Sequence, residues 1–433
     1  MKKSFTAGRM ALALVLILAA PVAKLAAQSK PVEITWWNYP NFATVDGELG
    51  KYEKQMIQAF NQKYPNIKVN VEMISFNGGP EKVNVAIASN SAPDIIFDYP
   101  GRITDYARQG IMVDLSGMFS KKDMKDINPT ILDACKYNGR IYQYPFNVAN
   151  FMMAVNKTMF EQAGLSKYLP LGRKDRLWTT DEFTAALKAI AKARPDVAPF
   201  VFYCKTNQGD QGTRTMAINL FGGDVMNADM SAYTMNKGGP VKFLDWVRGG
   251  VKEGWIPKGG EAMTSGDAID SFLQGKAAFT ILYSNVLRNT NAGKKTVPFD
   301  EAFLPWPTPK GAKPRLDTYI GTVGIFDNGD KAKVDAAKKF VDFMINDPVW
   351  GPKNLAATGG FSARASAASP YSDPEAQFAG SMVKYTHRYY NTVKGFVAMR
   401  TYWFPNLQAA MLGLKTPQAA LDEFVASANT TLK

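Results

Sequence analysis

Residues 32–98 alternate between two hydrophobic periods, and this constrains the fold more than any other feature of the chain. Val32 to Trp36 is a short β-rich run. Leu49, Tyr52, Met56, Ala59 and Phe60 then recur at helical spacing until Tyr64-Pro65-Asn66 ends the pattern. Ile67, Val69, Val71 and Met73 alternate with polar residues, the period of a half-buried strand. Gly78-Gly79-Pro80 breaks the chain, Val83 and Ile87 mark a second helix, and Asp94 to Asp98 reads as a short buried strand. A βαβαβ order demands a largely parallel sheet covered by helices, so the chain is read as α/β.

The segment before this pattern is expected to be a leader rather than part of the fold. Lys2, Lys3 and Arg9 precede an apolar run from Met10 to Ala20, and small residues at Ala26-Ala27 offer a cleavage point. Export to a periplasm, with cleavage near Ala27, is the expectation. Loss of Lys2, Lys3, Arg9 and Lys24 with the leader lowers the formal charge from +13 to +9. That balance suits acidic ligands or anionic surfaces. The basic residues form pairs such as Lys121-Lys122 and Lys294-Lys295 rather than clusters, so no nucleic-acid partner is expected.

Several chemistries are excluded by count or motif. The single histidine, His387, rules out multi-histidine metal sites and is the only candidate base for a Ser-His or Cys-His enzyme. No G-x-G-x-x-G follows the first strand and no phosphate-binding G-x-x-x-x-G-K-[ST] occurs. Asp327-Asn328-Gly329-Asp330 starts like a calcium loop but lacks the later glutamate, and reads as a solvated turn. No metal or cofactor is expected. Cys135 and Cys204, far apart in sequence, are expected to be separate buried thiols.

Beyond residue 150 the pattern continues. Thr179 and Glu182 form a capping box, with Trp178 and Phe183 as a hydrophobic staple. Phe272 to Lys276 ends a helix and Ala277 to Tyr283 follows as a strand. Tyr319 to Phe326 reads as another strand, Val334 to Met344 as an amphipathic helix, and Leu407–Leu414 and Ala419–Leu432 as terminal helices.

Taken in order, these segments resemble the family 1 extracellular solute-binding proteins, the carbohydrate-capturing subunits of ABC importers. Phe60 to Val69 is similar to that family's F-x-x-x-y-P-x-i-k-V turn, and Ser91-Ala92-Pro93-Asp94-Ile95 to its strand entry. Tyr137 to Pro145, Asn156 to Phe160, Trp178 to Phe183 and Phe272 to Phe279 continue the likeness. The resemblance implies a two-lobed periplasmic-binding-protein fold, each lobe a mostly parallel sheet flanked by helices, joined by crossing hinge segments. It implies a discontinuous layout: 28–147 and 318–358 in lobe one, 148–317 and 359–433 in lobe two. It also implies a ligand in the cleft, a monomeric binding protein without catalytic residues, and membrane permease subunits as partners.

Sugars expose hydroxyls around apolar C–H faces, so aromatic rings paired with amides and carboxylates are the side chains sought. At strand ends these are Trp37, Asn38, Tyr39, Asp98 and Tyr99, with Glu48 near the first helix. Asn147 follows the first crossing. Tyr203, Asn207 and Asp210 form a polar loop in lobe two, and Tyr283 and Asn285 end a strand there. Gly321, Phe361 and Arg364 lie at later crossings, and Trp403 stacks a sugar or packs the terminal helices. Arg364 is the candidate for an anionic group, since a guanidinium grips one bidentately. The leading expectation is a sugar-binding protein. An anion-binding version, for an oligouronide or a glycerophosphodiester, is the rival, and a secreted glycosidase or lyase the distant one.

Overall fold

The computed structural model describes Met1 and residues 31–75, 78–206 and 209–433. The expected leader, with Ala26 and Ala27, and Asn207 lie outside the described residues. The strands are β1 (Val32–Asn38), β2 (Ile67–Met73), β3 (Ile95–Asp98), β4 (Lys136–Tyr137), β5 (Arg140–Ile141), β6 (Gln143–Asn150), β7 (Met152–Asn156), β8 (Ala198–Phe200), β9 (Ala277–Tyr283), β10 (Glu301–Leu304), β11 (Thr318–Ile325) and β12 (Phe361–Ser362). One sheet has the order β12-β6-β11-β3-β1-β2, a second β10-β7-β9-β8, and β4-β5 is a separate hairpin.

The first three strands pair as the sequence predicts: β1 lies parallel to both β2 and β3. The rest corrects the expectation of mostly parallel sheets. β11 runs antiparallel to β3 and to β6, and β12 antiparallel to β6. In the second sheet only β8 and β9 are parallel. The reason is connectivity. β6 leaves the first sheet and, after Phe151 alone, becomes β7 of the second, while β11 re-enters the first sheet from the opposite side. Phe151 N donates to Asp317 O at 2.9 Å, tying the two crossings together.

The helices cover the sheets for the reasons their spacing gives. In helix Lys51–Lys63, Glu53, Met56, Ile57 and Phe60 form one buried stripe. Phe60 and Trp36 both meet Phe340 of helix Lys331–Asn346 edge-on, with centroids 5.0 and 5.4 Å apart. Each such fully buried aromatic contributes on the order of 2–3 kcal/mol. The Thr179 and Glu182 capping box forms, and Trp178 packs on Phe183 at 5.0 Å. Asp330 caps helix Lys331–Asn346, its side chain accepting from Ala332 N and Lys333 N. Cys135 and Cys204 are free and buried.

One boundary differs clearly. The helix expected to start at Leu407 runs Phe396–Met411, straight through Pro405. Met399, Trp403, Leu407 and Ala410 are all buried on its inner face, and this packing outweighs the single N–H that proline removes.

Candidate functional site

The space between the two sheets holds two chambers that share Phe151 and Tyr319 as a common wall. The smaller, about 160 Å³, lies between Tyr99 after β3 and the second lobe's helices Asp210–Leu220 and Phe396–Met411. The larger, about 720 Å³, lies between the loop after β1, the end of helix Trp350–Thr358, and helix Asn285–Thr290. Tyr319 is the second residue of β11 and its hydroxyl donates to Asn41 Oδ1 at 3.3 Å, so the ring is fastened where the chambers meet.

The small chamber is aromatic and charged. Tyr99, Tyr389 and Phe396 add ring surface to the shared wall. Arg214 and Arg400 both line it, yet both are held from behind by Asp210, which is fully buried. Arg400 Nη2 donates to Asp210 Oδ1 at 2.6 Å, and Arg214, one helical turn after Asp210, forms an ion pair with Oδ2. Arg214 Nε also donates to the Tyr390 hydroxyl at 3.1 Å. Burial lowers the pKa of Arg400 from its ordinary value, with Tyr99 and Tyr390 opposing. The remaining charge is Asp317, immediately before β11. Its Oδ1 accepts from Thr318 N at 2.9 Å, and its Oδ2 is buried with no hydrogen-bond partner among the described residues. Burial raises its pKa, with Arg214 opposing.

The large chamber is more apolar, and its polar side chains are amides and hydroxyls, with no charged group among the described residues that line it. Asn147 on β6 faces Gly321 across the β11 pairing, where the register shifts between Gly321 and Thr322. A side chain at 321 would overlap Asn147 Oδ1, and one at Gly360 would come within 2.8 Å of its Nδ2. Two glycines therefore make the slot that Asn147 occupies. Asn285 Nδ2 donates to Gly359 O at 2.9 Å, tying the segment after β9 to the end of helix Trp350–Thr358. The Oδ1 atoms of Asn147, Asn285 and Asn391 are buried without a partner among the described residues.

A family model for bacterial extracellular solute-binding proteins matches residues 45–349. The chain belongs to this family. Solute-binding proteins also account for its structural likenesses. The cyclic α-maltosyl-1,6-maltose binding protein of Arthrobacter globiformis superposes with a TM-score of 0.77 at 21% identity, covering 93% of this chain and 99% of that one. A Listeria monocytogenes ABC substrate-binding protein, solved with cycloalternan, gives a TM-score of 0.70 at 21% identity over 93% and 99%. In sequence, the diacetylchitobiose binding protein DasA of Streptomyces coelicolor is 23% identical over 66% of this chain, a match that spans 64% of that relative. The fold is thus the two-lobed one.

Within this solute-binding fold the sequence candidates divide. Tyr99 and Asn147 line the chambers. Gly321 makes room for Asn147, Asn285 holds the end of helix Trp350–Thr358 at the large chamber, and Asp210 fixes the two arginines. Asp98 lies under Tyr99, chelated by Arg102 at 2.6 Å from both nitrogens, and that guanidinium stacks on the Tyr99 ring at 4.3 Å. Burial raises the Asp98 pKa, with Arg102 opposing.

The other candidates serve the scaffold. Asn38 is buried and donates to Glu53 at 2.7 Å, and Tyr39 packs against Gly79 in a second small core. Trp37 sits on that same core under Lys82, and Glu48 is an exposed partner of Lys54. Tyr203, Tyr283 and Trp403 are almost completely buried, with hydroxyl or N–H groups given to Gly209 O, Glu301 and Thr213. Arg364 binds no chamber: its guanidinium is divided between Asp123 at 2.6 Å and the Tyr144 hydroxyl at 2.7 Å. Phe361 lines the same separate groove as Arg364 and packs on Tyr371. His387 Nε2 faces Asp224 Oδ1 at 2.7 Å.

Sequence reasoning missed Phe151, Tyr319, Asp317, Arg214, Tyr389, Asn391 and Arg400. Asp210 and Arg214 stand four apart on one helix, a readable ion-pair spacing. Phe151 and Asp317 meet only through the pairing of the crossings, which no local pattern announces.

Proposed function

We propose that this protein captures a neutral sugar or oligosaccharide between its lobes and presents it to the permease of an ABC importer, without chemistry of its own. The observation that carries this reading is the pairing of aromatic walls with buried, unpartnered oxygen acceptors in the cleft: Asn147 and Asn391 Oδ1 and Asp317 Oδ2. A buried acceptor without a donor is costly, on the order of 1–3 kcal/mol, so a ligand rich in hydroxyl donors is what such a cleft suits. The rings of Tyr99, Phe151, Tyr319 and Tyr389 offer faces for sugar C–H groups. Relatives that bind a maltosyl tetrasaccharide ring or diacetylchitobiose by name support the same class.

The two rivals fare worse on the same geometry. An anionic ligand needs uncompensated cations, but Arg214 and Arg400 both pair with Asp210 and share their chamber with a second carboxylate, Asp317, and Arg364 is engaged elsewhere. The usual glycosidase needs two carboxylates flanking one bond. Among the described residues Asp317 is the one carboxylate lining the small chamber, and none lines the large one. We further propose export to the periplasm with cleavage near Ala27, a monomeric state, and lobes built from 28–147 with 318–358 and from 148–317 with 359–433. Closure about the crossings then signals occupancy, provided the ligand favours the closed state over the open one.

Calorimetric titration with maltose, maltotriose, N,N′-diacetylchitobiose, cycloalternan, trigalacturonate and a glycerophosphodiester tests the reading, with chromatography of the mixture afterwards. One neutral sugar bound at one site and recovered intact is the expected result. Cleaved sugar, or binding confined to the anions, refutes it.

A further inference from the structure

We infer that Asp317 selects the charge of the ligand: its Oδ2 accepts a hydroxyl from a neutral sugar and turns away an anionic one. The assignment rests on the sugar-binding reading. It goes beyond it by naming the residue that decides between neutral and acidic ligands.

The argument starts from how the carboxylate is held. Asp317 lies on the backbone bond between the first two crossings, where its carbonyl receives Phe151 N, so its position is fixed by both. Its Oδ1 is occupied by Thr318 N at 2.9 Å. This leaves Oδ2 as the atom with capacity to accept, and that atom is buried without a partner among the described residues. A carboxylate oxygen in that condition is rare, because it forgoes a charge-assisted hydrogen bond when buried.

The neighbouring cations are already engaged elsewhere. Arg214 and Arg400 line the same chamber as Asp317. Both are held by Asp210, from one turn earlier on Arg214's own helix. Two guanidinium groups therefore face two carboxylates, and the chamber is balanced before any ligand enters. A neutral sugar hydroxyl keeps that balance and donates to Oδ2. A uronate adds a negative charge beside Asp317 with no cation left to meet it. Asn391 Oδ1, buried and unpartnered in the same chamber, asks for a second donor and favours a ligand with adjacent hydroxyls.

The experiment uses the purified protein and its Asp317→Asn variant, titrated with the neutral sugars above and with trigalacturonate. The variant keeps Oδ1 for Thr318 and puts an N–H donor where Oδ2 was. Wild-type protein is expected to bind its best neutral sugar far more tightly than trigalacturonate. D317N is expected to lose about 10- to 100-fold for that sugar, the range for a hydrogen bond to a charged group, and to narrow the gap to trigalacturonate. A set of singly deoxygenated forms of the same sugar then supplies a readout that loss of structure would not move. One deoxy form should weaken binding to wild type by a similar factor and bind D317N no worse than the parent sugar does. This series is measured on wild type whether or not D317N folds. If no single deoxygenation matters to wild type, or if D317N binds the parent sugar equally well, the assignment is wrong while the sugar reading stands. If wild type prefers trigalacturonate, the charge selection is wrong. If it binds none of the neutral sugars, the functional reading falls and takes the assignment with it.

Discussion

Neutralising Asp210 is the most severe single test of how the small chamber is built. Asp210 is fully buried, Arg214 is 1% exposed, and the Arg400 side chain is about a quarter exposed. Asp210→Asn preserves shape and removes the charge that balances both guanidinium groups. Arg400 can turn part of its head toward water, so its share of the penalty is small. Arg214 cannot, and Tyr390 is its other hydrogen-bond partner among the described residues. Breaking a buried ion pair from one side costs about 3–5 kcal/mol. Against a typical total of about 5–15 kcal/mol this is a large fraction. Equilibrium denaturation in urea, followed by tryptophan fluorescence, should show the loss as a lower midpoint at similar slope. A double variant, Asp210→Asn with Arg214→Met, removes the stranded charge and should be less destabilised than the single one. A single-variant loss below about 1 kcal/mol, or a double variant worse than the single, would refute the claim that Asp210 holds a buried charge in check.

Four further outcomes follow from named contacts. Gly321→Ala places a carbon on Asn147 Oδ1 and 2.8 Å from Phe97, so overpacking should cost about 1–3 kcal/mol in melting experiments and displace Asn147, weakening sugar binding in titrations. Cys135 and Cys204 should resist alkylation at neutral pH until the protein unfolds, because burial pushes the first thiol far above its ordinary range and the second up to about 12; mass spectrometry reads zero adducts, then two. The Asp123 carboxyl is lowered from 3.8 to about 2, chiefly by its Ser120 hydrogen bond and then by Arg364. A depressed carboxyl stabilises above its unfolded value and loses that effect as pH falls through the folded value, so the melting difference between wild type and Asp123→Asn should be constant above about pH 5, shrink as pH falls toward about 2 and vanish by about pH 1. Sugar affinity should change less than about twofold between low and high salt, since the proposed contacts are to a neutral ligand; a steep decline in calorimetry contradicts a balanced cleft.

Much of the fold was legible because its information is local. The period-two run at Ile67–Met73, the helical stripe ending at Phe60 and the Thr179 capping box each depend on residues within one or two turns of each other. What was not legible depends on pairing across the chain. The direction of β11 follows from the route the crossings take, and no residue in Thr318–Ile325 declares it. Pro405 misled in the other direction: its local signal stops a helix, but Met399, Trp403 and Leu407 packed in the core hold the helix together around it. Packing across the chain also decides which of the candidate aromatics reach the cleft, as Tyr99 does. Tyr203, Tyr283 and Trp403 have the chemistry of a sugar platform, yet each satisfies its polar atom inside the lobe and exposes almost nothing.

The charge of the chain points one way and the cleft another, and burial explains the difference. A net charge of +13 suggests an acidic ligand, and Arg364 looked like its anchor. But surplus lysines stay where water solvates them, as Lys331 does at 89% exposure of its side chain. An arginine inside the protein must be neutralised by its own neighbours, and this holds for Arg364 with Asp123, Arg102 with Asp98, and Arg214 and Arg400 with Asp210. Each pairing is a folding requirement before it is a binding feature. The cation count of the sequence therefore carries little information about the ligand. Among the described residues, the carboxylate oxygen that lines the cleft without a hydrogen bond or ion pair is Oδ2 of Asp317, and the proposed charge selection rests on that atom.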